Sequence, residues 1–278
     1  MRKYFACLRY NLQKQFASPT AWLVAILTVL LMDRHVAPVR QCALDFGASV
    51  SWPGLAAFLL DSSTITLLGG LAILALVIRI PMDDEAQWLV MLRSGRKTWA
   101  RAQVGMVFAV CGIYLLLLAL AALIWIAPCV ETTRDWSKGI LLFVEDGAYE
   151  TYDSMLSYDP WIVEAYSPWG AALIGLFLHF LAYCFLGLLM ALGNLLFGKR
   201  GGILLSAIPL GADVLMAEVY TGTAYYFSPL TLSRITCLDY GDLMGRPPVW
   251  YAFGLLLVLC AGTAWAVVRL CMKKETRI

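Results

Sequence analysis

Long apolar stretches constrain the fold of this sequence more than any other feature. A helix needs about 20 apolar residues to cross the hydrocarbon core of a bilayer. Six candidate spans can be marked, at 19–36, 53–80, 104–128, 169–197, 201–220 and 249–270. The first is the weakest, because Asp33 and Arg34 interrupt it. The sequence therefore predicts an all-α, polytopic integral membrane protein whose six transmembrane helices form one domain, 1–278.

The composition supports this prediction and argues against a soluble domain. Hydrophobic residues make up 61% of the chain and charged residues 14%, against about 45–50% and about 25% in soluble domains. The mean hydropathy of +0.74 points the same way.

Lysine and arginine are distributed unevenly between the loops. The segments 1–18, 79–103, 198–201 and 269–278 carry most of these bases, whereas the other loops carry most of the acids. Because positively charged loops stay in the cytoplasm, we expect both termini and 79–103 to be cytoplasmic. The composition favours the plasma membrane of a bacterium.

The first 18 residues form a separate amphipathic pattern. Phe5, Leu8, Leu12 and Phe16 recur at helical spacing, with basic residues between them. This pattern predicts a helix that lies on the inner leaflet, over 1–18.

A charged segment, PMDDEAQWLVMLRSGRKTWARAQ, separates the second and third apolar stretches. Acidic residues at its start suit a helix N-terminus, and Gly95 suits the position just past a C-terminus. The segment therefore predicts a short cytoplasmic helix at 83–95. Its apolar stripe consists of Trp88, Leu89, Met91 and Leu92. An alternative is a helix that lies flat on the membrane with its tryptophans among the headgroups.

The pattern of this segment resembles that of the ABC-2 family of ABC transporter permeases. The matching residues are Asp84–Glu85, Trp88–Leu92, Ser94–Gly95–Arg96 and Gln103. That family has an N-terminal elbow helix, six spans, and a cytoplasmic coupling helix between spans two and three; 1–18 and 83–95 occupy those places. The chain differs in having Gly95 where proline is common, and in its long loop 128–168.

The resemblance implies a function as well as a fold. The coupling helix would dock on a cytoplasmic ABC ATPase subunit, which binds ATP and Mg²⁺, while this chain is not an enzyme and binds no cofactor. A second permease copy or a related permease would complete the complex within membrane lipid, with no nucleic acid. The cargo would be a hydrophobic or amphipathic peptide, antibiotic or lipid, moved outward. The expected ATPase contacts are Asp84, Glu85, Trp88, Leu89, Met91, Leu92, Arg96 and Lys97.

Two local patterns imitate other kinds of site. GNLLFGKR, 193–200, nearly matches a phosphate-binding loop, but Arg200 stands where a hydroxyl must hold magnesium. His179 has no histidine or carboxylate three or four residues away, so we expect it to make an interhelical hydrogen bond rather than bind a metal. The sequence shows no catalytic signature and no metal-ligand spacing.

Three further acidic residues interrupt the apolar stretches. Asp61, Asp213 and Glu218 each cost about 2.5–3.5 kcal/mol within a membrane, so such residues usually face protein or water. We expect them to line a central cavity, its outer mouth or an interface in the substrate pathway. Glu218 could instead end the fifth span at the headgroups.

The outer loops leave several alternatives open. Loop 128–168 is acidic and aromatic: it either contacts a cationic amphiphile or forms a folded cap with a solvated acidic face, and 140–144 could lean on the membrane. Segment 221–248 predicts short re-entrant or interfacial helices. Three cysteines on this side, which could form one disulfide, are Cys42, Cys129 and Cys237.

Two other classes of function compete with the ABC permease. An ion-coupled secondary transporter would use Asp61, Asp213 and Glu218 as ion sites, and such proteins have internal repeats with broken helices. The sequence shows no convincing repeat. A membrane scaffold or sensor without transport activity is the other alternative.

Overall fold

A computed structural model describes residues 2–82, 85–145, 148–156, 158–217, 222–239, 241 and 245–273. The described chain is mostly helical, and its two strands have two residues each. In chain order the elements are α1 (Arg2–Phe16), α2 (Pro19–Asp45), β1 (Val50–Ser51), α3 (Trp52–Asp61), α4 (Ser63–Val77), α5 (Glu85–Ser94), α6 (Arg96–Ile126), β2 (Val130–Glu131), α7 (Lys138–Glu145), α8 (Ala148–Thr151), α9 (Pro160–Ala165), α10 (Pro168–Ala217) and α11 (Val249–Lys273).

Four helices in the described part of the chain are long and apolar enough to cross a membrane: α2, α6, α10 and α11. The number is up to five if the bent pair formed by α3 and α4 is one span. Long apolar helices of this kind are typical of a membrane-embedded protein.

Helix α10 is two antiparallel helices joined at Gly198. This glycine has a φ of 76° and interrupts the helix, and left-handed backbone of this kind favours glycine. The Oγ of Ser206 lies 3.9 Å from the Sδ of Met190 although 16 residues separate them, whereas a straight helix would hold them about 24 Å apart. The turn falls between the predicted stretches 169–197 and 201–220.

Helices α3 and α4 meet at an angle of 77°, although the sequence suggested one continuous stretch, 53–80. The break lies at Ser62, whose backbone is extended with φ −66° and ψ 124°. Polar side chains at this point stabilise it, because Asp61 accepts hydrogen bonds from Thr236. The physical reason for the break is therefore a tertiary contact.

Helix α2 continues to Asp45, beyond the predicted end of its span at residue 36. Its 27 residues correspond to about 40 Å, more than a bilayer core needs. Arg40 is placed over the ring of Trp125, 5.6 Å from its centroid, and the indole of Trp125 donates to the carbonyl of Val29 at 3.0 Å. These contacts hold the extra turns of α2 against α6.

Loop 128–168 is a folded cap at one end of the helices, which we call the cap end. Strand β2 pairs in parallel with β1, and the rings of Phe58 and Tyr158 lie 4.5 Å apart. Ile140, Phe143 and Val144 are buried, so these three side chains pack against protein. The cysteines Cys42, Cys129 and Cys237 carry free thiols.

Helix α1 buries its polar side. Cys7, Asn11 and Gln15 are buried, whereas Phe5, from the predicted apolar stripe, is exposed. Leu8, Leu12 and Phe16 pack only partly against the core. Helix α1 therefore contacts the other helices through this buried row and, in part, through its apolar stripe. The contact lies at the opposite end from the cap, which we call the α5 end.

Candidate functional site

The α5 end of the molecule exposes a short helix between two apolar stretches. In α5, Leu89 is 59% exposed and Leu92 is 64% exposed. Val90 and Met91 are partly buried and pack against the core. The predicted apolar stripe is thus divided: Leu89 and Leu92 point outward, and Met91 points toward the bundle.

Some of the other residues expected to contact the ATPase are exposed at this end, and others lie outside the described part of the chain. Arg96 and Lys97 are exposed, and Arg96 donates to the carbonyl of Met272 at 3.5 Å. Asp84 lies outside the described residues, as do the side chains of Glu85 and Trp88. Among the described side chains of α5, the exposed ones therefore include these two leucines and Arg93, beside the exposed bases Arg96 and Lys97.

The inward side of α5 is held by a buried relay of side chains. Gln87 donates through Nε2 to the Oδ1 of Asn11 at 2.8 Å, and its Oε1 accepts from the indole nitrogen of Trp99 at 2.8 Å. All three side chains are buried. Because Asn11 belongs to α1 and Trp99 to α6, this amide–indole relay fastens α5 to both helices.

Further amides complete the end of α4. Gln15 donates to the carbonyl of Leu76 at 2.6 Å, and Asn194 donates to the carbonyls of Ile78 and Ile80 at 3.0 and 2.7 Å. Carbonyls at the C-terminus of a helix have no partner within the helix, so these amides replace the missing turn. The side chains of α1 and α10 therefore hold the connection between α4 and α5.

Sequence reasoning missed this group of amides. A signal was available in α1, where Cys7, Asn11 and Gln15 recur every four residues and so share one face of the helix. Uncharged polar residues in such a row are typical of an interhelical contact. Gln87, the partner of Asn11, is 76 residues away from it, and nothing in the local pattern identified it.

A second polar cluster lies near the cap end, where the segment 228–238 is buried between the helices. Asp61, at the end of α3, is 4% exposed. Its Oδ1 accepts from the backbone nitrogen and the hydroxyl of Thr236 at 2.9 and 3.0 Å. Its Oδ2 is buried without a hydrogen-bond partner.

Asp213, in the second half of α10, holds the same segment by a buried ion pair. It is 2% exposed, and its Oδ1 accepts from Arg234 at 3.0 Å and from Thr231 at 2.8 Å. Asp61 and Asp213 therefore both bind segment 228–238, at an interface between elements. Glu218, the third predicted pathway residue, lies outside the described residues.

His179 joins the helices at this cluster. Its Nε2 lies 3.1 Å from the hydroxyl of Thr66 and 3.3 Å from that of Ser233, and its Nδ1 lies 3.0 Å from the carbonyl of Gly175. The predicted interhelical hydrogen bond of His179 is confirmed, because Thr66 belongs to α4 and His179 to α10.

Segment 228–238 packs between the helices at this cluster and is hydrogen-bonded to Asp61 of α3 and to Asp213 and His179 of α10. Within the described ranges, no group of three or more His, Cys, Asp or Glu residues could hold a metal ion.

Comparisons with family models, with curated proteins and with solved structures find no match to this chain.

Proposed function

We propose that this chain is the membrane-spanning subunit of an ABC transporter whose ATP hydrolysis takes place on separate cytoplasmic subunits. The observation that carries the proposal is α5, a short helix with two exposed leucines, Leu89 and Leu92, and a buried polar attachment at Gln87. Its sequence resembles the coupling helix of ABC-2 permeases. A helix presented in this way suits a groove on a soluble partner.

The proposed topology has six spans with both termini in the cytoplasm. Two observations support it: α10 reverses direction at Gly198, and the bent pair α3 and α4 is apolar enough to be one broken span. With α2, α6 and α11 this arrangement has six passages. It places α1 and α5 on the cytoplasmic side, where lysine and arginine are concentrated, and the cap outside.

In the proposed mechanism, the relay transmits movement from the ATPase to the spans. Leu89 and Leu92 enter the groove of the ATPase, and the neighbouring bases Arg96 and Lys97 meet acids at its edge. When the two ATPase subunits close on ATP and Mg²⁺, α5 moves. Gln87 then carries α1 and α6 along, because its amide is hydrogen-bonded to both.

The cap-end cluster is the proposed outer gate. A hydrophobic or amphipathic cargo moves outward between this chain and a second permease copy, and 228–238 must shift to let it leave. That shift breaks the contacts of Asp61 with Thr236 and of Asp213 with Arg234. The side chains that hold the closed state are thus buried carboxylates, which bind strongly when paired and strain the structure when separated.

The central experiment tests the ATPase contact. The tagged chain is purified from its native membrane, and P-loop ATPases among the co-purified proteins are identified by mass spectrometry. We expect one such ATPase in stoichiometric amount, and we expect the double variant Leu89→Asp/Leu92→Asp to lose it, because carboxylates cannot enter an apolar groove.

The matched control is Met155→Asp, which changes an exposed apolar residue in the cap. It should retain the ATPase, as should Asp61→Asn.

In reconstituted complexes, Asp61→Asn should alter cargo-stimulated ATPase activity, because it weakens the gate. An ATPase that stays bound to the double aspartate variant would refute the role of α5, and unchanged stimulation in Asp61→Asn would remove that residue from the pathway.

A second candidate is an ion-coupled secondary transporter, and one observation favours it. Asp61 lies at a break between two helices, and broken helices form the ion sites of such transporters. One of its carboxylate oxygens is also buried without a hydrogen-bond partner. This candidate predicts cargo uptake driven by a proton or sodium gradient in proteoliposomes that contain no ATPase, and its loss in Asp61→Asn. The first candidate predicts no gradient-driven uptake.

A further inference from the structure

An open-sided apolar hollow lies between α3, α6 and the first half of α10. The space that it encloses is about 90 Å³, and each of the three helices contributes residues from one face over about two turns, or about 10 Å. All of the side chains that form its wall are apolar or indole groups. Small residues create the space, among them Ala56 on α3 and Ala119 on α6.

The hollow has a closed floor and an open edge. Leu118 on the floor is buried, whereas Trp169 and Leu173 at the edge are exposed. Trp52 and Trp169 stand at the beginnings of α3 and α10, next to the cap, with their rings 6.1 Å apart. Tryptophan is enriched where membrane meets water, so the two indoles mark the headgroup level of the hollow.

The chemistry of the walls identifies the occupant. Water needs two to four polar partners to stay in a cavity, and the walls of this hollow present no polar atom to it. A hydrocarbon chain needs only apolar contact, and each buried methylene favours its binding. The hollow runs from the indoles into the apolar part of the bundle, which is the course of an acyl chain in the cap-side leaflet.

We propose that this hollow is a binding slot for one acyl chain of a phospholipid from the leaflet on the cap side. The slot is separate from the proposed ATPase contact. The proposal that it binds lipid is the same whether the chain is an ABC permease or a secondary transporter. Leu60 forms part of its wall and also lies beside Gly175, as does Ile235 of segment 228–238. The bound chain therefore packs against the helix that carries Asp61 and supports the closed form of segment 228–238.

The test uses the full chain in nanodiscs with a phosphatidylcholine that carries a diazirine halfway along one acyl chain. After illumination, adducts are mapped by mass spectrometry. We expect several-fold more adducts at Leu118 and Leu173 than at Leu257, an exposed residue on α11. Ala119→Phe and, separately, Ala56→Phe fill the slot from two helices and should bring the adducts down to the level of Leu257.

Ala261→Phe is the matched control, because it makes the same change at an exposed alanine of α11 and should leave the adduct pattern unaltered. Gel filtration and thermal unfolding of each variant establish that it is folded. Because there are two filling variants, the test can still be made if one of them does not fold. Equal labelling of Leu118, Leu173 and Leu257 in the wild type would show only bulk lipid and overturn the proposal. Undiminished adducts in both folded filling variants would overturn it as well.

Discussion

The ion pair between Asp213 and Arg234 permits the sharpest test of the cap-end cluster. Both side chains are almost fully buried, and their charged atoms lie 3.0 Å apart. Asp213→Ala leaves the guanidinium buried without its carboxylate. Removing one partner of a buried pair costs about 3–5 kcal/mol, and we expect Asp213→Ala to lower the free energy of unfolding by that amount.

The hydroxyl of Thr231 does not complicate this estimate. Besides Asp213, it also contacts the hydroxyl of Ser228 at 2.6 Å, so it keeps a partner in the variant. The cost therefore comes mainly from the unpaired charge of Arg234.

A double variant distinguishes the cost of an unpaired charge from the cost of lost packing at this site. Asp213→Leu/Arg234→Met replaces both ions by apolar groups, a change that in other proteins is often neutral or stabilising by about 1–4 kcal/mol. We expect the double variant to be at least as stable as the wild type, while each single variant is several kcal/mol less stable. The measurement is unfolding in mixed micelles, followed by tryptophan fluorescence and extrapolated to zero denaturant.

Two results would refute the reasoning. A cost below about 1 kcal/mol for Asp213→Ala would mean that Arg234 reaches water or another partner when its carboxylate is removed. A double variant as unstable as the single one would mean that the site depends on packing rather than on charge. Under the proposed function, the double variant should also lose the ability to open and close, even though it is stable.

Two further predictions concern Gln87 and the cap. Gln87→Leu leaves the indole of Trp99 and the amide oxygen of Asn11 buried without these partners, and each loss should lower the free energy of unfolding by about 1–3 kcal/mol. Amide hydrogen exchange in 85–94 should therefore accelerate. It should not accelerate in the control Gln13→Leu, which changes an exposed glutamine of α1. Burial raises the pKa of the Tyr158 phenol above its ordinary value of 10.0. The stability that the neutral phenol contributes is complete below about pH 10 and is lost as the pH rises further. Near-ultraviolet circular dichroism should therefore show that the cap loosens in alkali. The variant Tyr158→Phe should not show this alkaline transition.

The helical segments themselves followed from local chemistry. The helix α5 was predicted at 83–95 and occupies Glu85–Ser94, because acids at the start, an apolar stripe and Gly95 are all local signals. The reversal at Gly198 fell where the predicted stretches 169–197 and 201–220 are separated. Periodicity and turn residues describe such features well, since a helix depends mainly on neighbours within four residues.

The polar contacts did not follow from local chemistry. Asp61 was recognised as costly in a membrane, but its break with α4 and its partner Thr236, 175 residues away, were not. Gln87 was read only as part of a charged segment. A single amide or carboxylate can pair with many groups, and its local sequence carries no record of which one.

The sequence alone therefore determined that this chain has apolar helices long enough for a membrane, a separate amphipathic N-terminal helix, and a charged helix between two apolar stretches. Tertiary structure decided where α3 breaks, which face of α1 is buried, and how Gln87 and Asp213 are satisfied. The physical reason is that apolar burial depends on the area and periodicity of the chain itself, whereas a buried hydrogen bond depends on one distant partner with the right geometry.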